Sequence, residues 1–234
     1  MAVTHTYLLL AAGGITTQQE SNLIDLHRNA EQGDAFAQFK LGVAYERGLG
    51  VAYDVHKALE WHQKAANQGH AEAQYHLGAM YEEGVVGTGS PEDARNALKW
   101  YRKAADQGHA LAQTSLGTMY ASGRGVAKDT RKAMEWYRKA ADQGETFAQF
   151  FLGDIYEKGR GVPKDIRKAV QWYRKAALLG FDDAQYYLGS MYEKGTGVSK
   201  DVRKAVEWYR KAAEQGNDEA QKALDRLKIG VVSM

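Results

Sequence analysis

An internal repeat is the feature that most constrains the fold of this 234-residue chain. The dipeptide Leu-Gly and a single tryptophan recur together in five blocks, at a spacing of 36 residues in all but one interval. The exceptional interval is 39 residues long, and residues 84–90 account for it because the other blocks have a shorter Gly-x-Gly-Val loop there. A period of this length is typical of repeat proteins, in which each unit buries its apolar face against its neighbours. The tryptophans that mark the blocks are Trp61, Trp100, Trp136, Trp172 and Trp208.

Each block predicts two helices, here named the A helix and the B helix. In the second block, apolar residues of the segment 71–81 recur at i, i+4, i+7 and i+8, which is a helical pattern. The Gly-x-Gly-Val loop follows, and glycine permits backbone angles there that other residues avoid. An aspartate then precedes each B helix as a predicted N-cap: Asp54, Asp93, Asp129, Asp165 and Asp201. A glycine ends each B helix, as a predicted left-handed C-terminal cap: Gly33, Gly69, Gly108, Gly144, Gly180 and Gly216.

The residues that recur in every block are predicted to form the core. In the second block these are Leu77, Met80, Tyr81, Ala97 and Trp100. The glycine of the Leu-Gly pair lies inside the A helix, where it costs about 1 kcal/mol relative to alanine. Its recurrence in all five blocks predicts that the B helix or the next repeat approaches the A helix closely at that point.

Composition excludes several classes of protein. Hydrophobic residues make up 44% of the chain, which is enough for a packed core and argues against intrinsic disorder. The net charge of +2 gives no reason to expect a nucleic-acid or membrane binder. The chain contains no cysteine, so disulfides, thiolate nucleophiles and cysteine-based zinc sites are excluded. No apolar run approaches the ~18 residues of a membrane span.

The seven histidines predict neither a metal site nor a catalytic site. Two pairs, His56 with His62 and His70 with His76, are six residues apart. A spacing of four would place two ligands on one face of a helix, and a spacing of six does not. The histidines are therefore expected to be solvated or to cap helices, and no cofactor is expected.

The repeated motif resembles the Sel1-like repeat, a relative of the tetratricopeptide repeat. The resemblance lies in Ala-x-Ala-Gln-x-x-Leu-Gly-x-x-Tyr, Gly-x-Gly-Val and Lys-Ala-x-x-Trp-Tyr-x-Lys-Ala-Ala-x-x-Gly, over residues 17–228. It implies an all-α, right-handed superhelical α/α solenoid of about five repeats with capping half-repeats. It also implies a non-catalytic bacterial adaptor that binds a partner protein or peptide in a concave groove lined by A helices.

One branch of that family implies an alternative function. Its members are rich in cysteine and are associated with penicillin binding, so a weak hydrolase or a binder of cell-wall fragments is the second hypothesis. This chain departs from that branch, because it has no cysteine and no Ser-x-x-Lys motif.

The two ends of the chain differ from the repeats, as expected of solenoid caps. Residues 17–32 resemble a degenerate B helix, residues 218–228 a final A helix, and residues 229–234 a tail. Residues 1–16 contain a short apolar run at 7–12, which fits either a capping helix or the remnant of a targeting signal. The compartment stays open between bacterial cytoplasm and periplasm or export, since export depends on the second interpretation.

Partner specificity is expected at A-helix positions that vary between repeats. Four such positions share one helical face, at i, i+3, i+4 and i+7. Aromatic residues concentrate there in the fourth and fifth repeats, and exposed aromatics often dominate binding energy. The alternative for the second position (Phe39, Tyr75, Phe150 and Tyr186) is that these rings fill space between successive A helices. The predicted binding residues are Phe147, Phe150, Phe151, Asp154, Tyr186, Tyr187, Ser190, His76 and Lys40.

The B helices carry Arg-Lys pairs such as Arg174-Lys175, which offer a second candidate surface. Stacked in register, they would form a basic ridge able to bind phosphate groups. Acidic residues are interleaved with them, so the simpler interpretation is a solvated face with weak local ion pairs. Nucleic acid is not an expected partner, and the chain is expected to be a monomer or a weak oligomer.

Overall fold

The computed structural model describes residues 17–87 and 90–232, and residues 1–16, for which a cap or a targeting remnant was predicted, lie outside that range. The described residues form twelve helices and no strand, which confirms the all-α fold class. The helices are α1 (Thr17–Glu31), α2 (Ala35–Arg47), α3 (Val55–Asn67), α4 (Ala71–Glu82), α5 (Pro91–Asp106), α6 (Ala110–Ser122), α7 (Thr130–Asp142), α8 (Thr146–Lys158), α9 (Ile166–Leu178), α10 (Asp182–Lys194), α11 (Val202–Glu214) and α12 (Asp218–Val232).

The helices belong to two compact units, which divide between Lys128 and Asp129. In the first unit, α2 pairs with α3 and α4 pairs with α5, while α1 and α6 pack at the ends of this series. In the second unit, α8 pairs with α9 and α10 pairs with α11, while α7 and α12 occupy the corresponding ends. The A helices are α2, α4, α6, α8, α10 and α12, and the odd-numbered helices are B helices. Every unit is therefore a series of helical hairpins, each packed on the next.

Aspartate caps open four of the five B helices for which they were predicted. The carboxylate of Asp165, for example, accepts a hydrogen bond of 3.0 Å from the backbone N–H of Lys168. The prediction for Asp93 is wrong: the cap of α5 is Ser90, and Asp93 lies one turn later, where it accepts a 2.9 Å bond from the Ser90 backbone N–H. The longer loop before this helix lets Pro91 become its first residue, so α5 begins earlier than the other B helices.

The glycines have the roles that the repeat predicts. The six that end B helices all have positive φ, between 88° and 99°. Inside α4, a Cβ placed on Gly78 would lie 2.5 Å from Cδ1 of Tyr101 on α5, far closer than real side chains approach. The same contact joins Gly153 to Tyr173 and Gly189 to Tyr209. The close approach is therefore made by the B helix of the same hairpin.

The predicted core is buried, with one exception. Leu77, Met80, Ala97 and Trp100 are all buried. Tyr81 is only partly buried and packs against the edge of that core. Its counterparts Tyr120, Tyr156 and Tyr192 are buried, and each accepts a hydrogen bond from an arginine on the preceding B helix. Gln63 occupies that arginine's position before Tyr81, and it donates its side-chain hydrogen bond to Asn67 at 3.0 Å.

The predicted terminal helices are present. Helix α1 covers the segment expected to be a degenerate B helix. Helix α12 covers the expected final A helix and continues to Val232, beyond the boundary predicted at residue 228. Within the described residues, none of the helices combines the length and apolar character that a membrane span requires.

Candidate partner-binding surface

Aromatic rings on α8 and α10 form one connected cluster in the second unit. Phe151 packs on Tyr137 of α7, with ring centroids 5.1 Å apart, and Tyr187 stacks on Tyr173 of α9 at 5.3 Å. Phe150 joins the two pairs, because it lies 6.0 Å from Phe151 and 5.5 Å from Tyr187. We call the aromatic surface the set of Phe147, Phe150, Phe151, Phe181, Tyr186 and Tyr187.

The rings at the second variable position lie between successive repeats. Phe150 contacts Phe181, the residue before α10, at 5.2 Å. In the first unit, Phe39 stacks on His70 and Tyr75 stacks on His109, both at 4.8 Å. Packing between repeats is therefore a structural role for these rings. Phe151 and Tyr187 also contact a neighbouring repeat, through the B helix of the preceding hairpin.

The aromatic surface is accessible to solvent. Phe147 is 49% exposed, and its ring lies 4.8 Å from that of Phe181. Phe150, Phe151, Tyr186 and Tyr187 are all partly buried, so none of these rings is sealed in the core. Neighbouring rings hold one another in place, which lowers the entropy that a partner's binding would cost.

Buried tyrosines pack beneath the rings of the aromatic surface. The hydroxyl groups of Tyr173 and Tyr209 donate hydrogen bonds of 2.8 Å to Glu157 and Glu193. Burial, together with these carboxylates, raises the pKa of both phenols well above the ordinary value. Burial also raises the pKa of Tyr187. All three tyrosines therefore remain neutral at physiological pH.

The carboxylate of Asp154, one of the predicted binding residues, is already paired within the protein. Its side chain pairs with Lys158 and with Arg160, the latter at 2.7 Å, so both oxygens are engaged. A partner cation would have to displace one of these side chains. Ser190 lies on α10 one turn beyond Tyr186 and is partly buried beside the Tyr209 hydroxyl.

Two predicted residues lie in the first unit, apart from the other seven in sequence. Lys40 is exposed on α2, with its ammonium group 5.2 Å from the centre of the Phe36 ring. His76 on α4 is mostly buried and hydrogen-bonded to Glu46 at 3.0 Å. The structure brings Phe147, Phe150, Phe151, Asp154, Tyr186, Tyr187 and Ser190 into one unit.

Many of the basic side chains of the B helices make contacts within the protein. Arg138 and Arg174 donate to the hydroxyl groups of Tyr156 and Tyr192, at 3.1 and 2.6 Å. Lys168 pairs with its neighbouring cap aspartate at 3.3 Å. One lysine per repeat lies over the tryptophan three residues before it: Lys64, Lys103, Lys139, Lys175 and Lys211. These contacts favour the interpretation of a solvated structural face.

Sequence reasoning missed Phe181 as a member of the aromatic surface. It occupies the N-cap position of α10, where the four preceding A helices have Asp34, His70, His109 and Glu145. An apolar residue at a capping position cannot accept a backbone hydrogen bond, and α10 has no side-chain cap. That departure from the repeat was the available signal.

Comparison with known proteins gives the family and the fold. The Sel1 repeat matches residues 35–70, 71–109, 110–145, 146–181 and 182–217. A Sel1 repeat protein from Oxalobacter formigenes is similar, with 41% identity over 82% of this chain and 76% of that one, and a TM-score of 0.76. So is c5321, a protective antigen of uropathogenic Escherichia coli strains, with 37% identity over 96% of this chain and a TM-score of 0.80. This chain covers 48% of the length of c5321. The search of curated proteins found no match to this chain.

Proposed function

The chain belongs to the Sel1 repeat family, whose members generally mediate protein–protein interaction, and we propose that it is a non-catalytic adaptor that binds a partner protein or peptide. The binding site in this proposal is the aromatic surface of the second unit. The partner contributes an apolar or aromatic side chain from an extended segment or a loop.

One observation carries this proposal: at the third variable position α8 and α10 have the large rings Phe151 and Tyr187, where the other repeats have Lys40, His76 and Ser115. The third repeat has Thr114, Ser115 and Thr118 on the same face of α6. A packing requirement common to all repeats would select similar residues in each. Rings clustered in two repeats and left partly exposed instead favour recognition, because tight binding usually depends on a few aromatic anchors.

Affinity capture from the native host tests the proposal with the full chain as bait. Phe151→Asp and Tyr187→Asp each place a carboxylate on the aromatic surface. Val202→Asp is the matched control, because Val202 is also an exposed apolar residue but lies at the start of α11. Circular dichroism first verifies that all variants are equally helical.

We expect wild type and Val202→Asp to retain the same protein, and both surface variants to lose it. Recombinant partner is then titrated against each variant, and each surface substitution should weaken binding at least about 10-fold, as hot-spot substitutions do. Equal affinity for all four proteins would contradict the choice of surface. A binding defect in Val202→Asp as large as in the surface variants would contradict it too.

The absence of catalysis is part of the proposal. Its support is chemical: the sequence has no cysteine and no Ser-x-x-Lys motif from which a covalent acyl-enzyme could form. A chromogenic β-lactam tests the alternative implied by the cysteine-rich branch. We expect turnover no faster than with heat-denatured protein. Faster turnover would contradict the non-catalytic proposal and support the hydrolase hypothesis.

A further inference from the structure

Three potential metal ligands meet in the first unit, on three successive helices. Glu46 lies on α2, His62 on α3 and His76 on α4. One carboxylate oxygen, Oε2 of Glu46, is 3.0 Å from Nε2 of His62 and 3.0 Å from Nδ1 of His76. The three ligand atoms all lie within 4.8 Å of one another. The two imidazole rings stack, with centroids 5.0 Å apart.

This cluster is a departure from the repeat at two positions. In the second, fourth and fifth hairpins, a B-helix tyrosine donates its hydroxyl to the A-helix glutamate at 2.7 to 2.8 Å: Tyr101 to Glu82, Tyr173 to Glu157 and Tyr209 to Glu193. In the first hairpin, His62 replaces that tyrosine and provides a nitrogen instead of a phenol. His76 occupies the position of Ser115, Phe151 and Tyr187. Both replacements direct an imidazole to the same carboxylate.

Packing holds the His62 ring in place. The side chain is fully buried, and its Nδ1 has no hydrogen-bond partner. A Cβ on Gly42 would lie 2.6 Å from that nitrogen, so the ring fills the space that the helical glycine leaves open. Phe39 covers both imidazoles, with ring centroids 5.7 Å from His62 and 5.4 Å from His76. The Nε2 edge of His62 therefore faces the carboxylate of Glu46.

We propose that Glu46, His62 and His76 form a binding site for a divalent transition metal, with Zn²⁺ as the best match. Two imidazoles and a carboxylate are a ligand set that Zn²⁺ accepts, and they leave a fourth position for water. The Glu46 side chain is 33% exposed and His76 16%, so solvent reaches the site on one side. Hard cations such as Mg²⁺ and Ca²⁺ prefer oxygen ligands and fit it poorly.

Metal binding requires small side-chain movements and a change of tautomer in each imidazole. Two ligand atoms of a tetrahedral Zn²⁺ ion, each about 2.0–2.1 Å from the metal, are about 3.3 Å apart, so side-chain movements of roughly 1 to 1.5 Å close the site. The ion takes the place of the two N–H groups that now face the carboxylate, and in each ring the proton moves to the other nitrogen. Nδ1 of His62 then carries a proton with no acceptor. Affinity is therefore expected to be about 10- to 100-fold below that of a site with such a partner.

A metal at this position would join the first two repeats. The ligands come from both helices of the first hairpin and from the A helix of the second, so the ion would stabilise the folded state of the first unit by binding only when these helices are packed. This inference does not depend on the aromatic surface, which lies in the second unit.

The test uses the full chain, stripped of metal with a chelator. Co²⁺ is titrated as a visible substitute for Zn²⁺, and thermal unfolding is measured with and without Zn²⁺. His62→Tyr is the decisive variant, because it recreates the tyrosine–glutamate pair of the other hairpins and is expected to fold. His56→Ala is the control, since His56 is an exposed histidine of the same helix.

Wild type and His56→Ala are expected to bind one equivalent of Co²⁺ with the strong visible absorption of a tetrahedral site, and Zn²⁺ should raise their Tm. His62→Tyr is expected to keep a metal-free Tm at least equal to that of wild type, and to lose the absorption and the shift. The same absorption and Tm shift in His62→Tyr would overturn the proposal. So would a wild type that shows neither response to the metals.

Discussion

At the scale of single residues, a glycine in each A helix determines how closely the two helices of a hairpin approach. Gly78 shows the effect, since the ring of Tyr101 lies where its Cβ would be. Alanine is the better helix former by about 1 kcal/mol, so the glycine is retained for the contact and not for the helix.

Gly78→Ala is therefore expected to destabilise the protein, although it improves the propensity of α4. The added methyl group forces Tyr101 out of position, and overpacking of this kind typically costs about 1–3 kcal/mol. Urea unfolding monitored by circular dichroism measures the change. A variant as stable as wild type, or more stable, would show that the contact is not tight.

A second residue-scale feature is a missing partner for Gln149. In three other hairpins, a glutamine after the B helix donates to the A-helix glutamine: Gln68 to Gln38, Gln107 to Gln74 and Gln215 to Gln185, at 2.7 to 2.9 Å. Leu179 stands at that position in the fourth repeat, and Oε1 of Gln149 is buried without a hydrogen-bond partner.

Leu179→Gln is expected to stabilise the protein by about 1 kcal/mol, the net value of one hydrogen bond. Leu179 is 57% exposed, so its removal sacrifices little burial. Thermal unfolding is compared for wild type, Leu179→Gln and Leu179→Ala. The alanine variant measures the effect of removing leucine, so its difference from the glutamine variant gives the contribution of the new hydrogen bond. A glutamine variant no more stable than the alanine variant would contradict the account.

At the scale of elements, the aspartate caps of the B helices make the stability of the folded state depend on pH. The backbone N–H groups of Lys57, Lys168 and Lys204 lower the pKa of Asp54, Asp165 and Asp201 respectively. A carboxyl group with a lowered pKa in the folded state stabilises it above the unfolded-state pKa of about 3.9. That contribution is lost as the pH falls through the lowered pKa.

Replacing these three aspartates by asparagine is expected to reduce acid sensitivity. Asparagine caps a helix about as well as aspartate but does not titrate between pH 7 and pH 2. The triple variant should resemble wild type in urea unfolding at pH 7 and should lose less stability between pH 5 and pH 2. Parallel loss in both proteins over that range would show that the caps do not carry the effect.

The elements were also the part of the fold most open to prediction. Helix type and order followed from the period, because Leu-Gly, the loop glycines and the cap aspartates recur in register. Asp93 was assigned wrongly because residues 84–90 lengthen the loop and let the helix begin at Pro91, which the other repeats could not indicate. The cluster of His62 and His76 was missed because spacing was compared within helices, whereas these residues meet between helices.

At the scale of the whole molecule, the repeat explains stability more completely than function. Repeated residues make the helix contacts inside each unit, and the varied residues give each unit a distinct surface. The sequence predicted that aromatics concentrate on the A helices of the fourth and fifth repeats. It could not predict that Arg160 pairs with Asp154, or that Phe181 completes the aromatic surface, because Arg160 and Phe181 lie outside the A helices. The pair of Lys158 with Asp154 is an i, i+4 contact within α8, which the spacing could have indicated.

Site-specific photocrosslinking in the native host tests the central claim most directly. A benzophenone amino acid at position 151 or 187 replaces one aromatic ring with another and so preserves the aromatic surface. The same amino acid at position 202, at the start of α11, is the control outside that surface. The account predicts that one protein crosslinks at 151 and 187 and not at 202. Crosslinking of that protein at 202 alone, or of no protein at 151 and 187, would contradict partner binding by the aromatic surface.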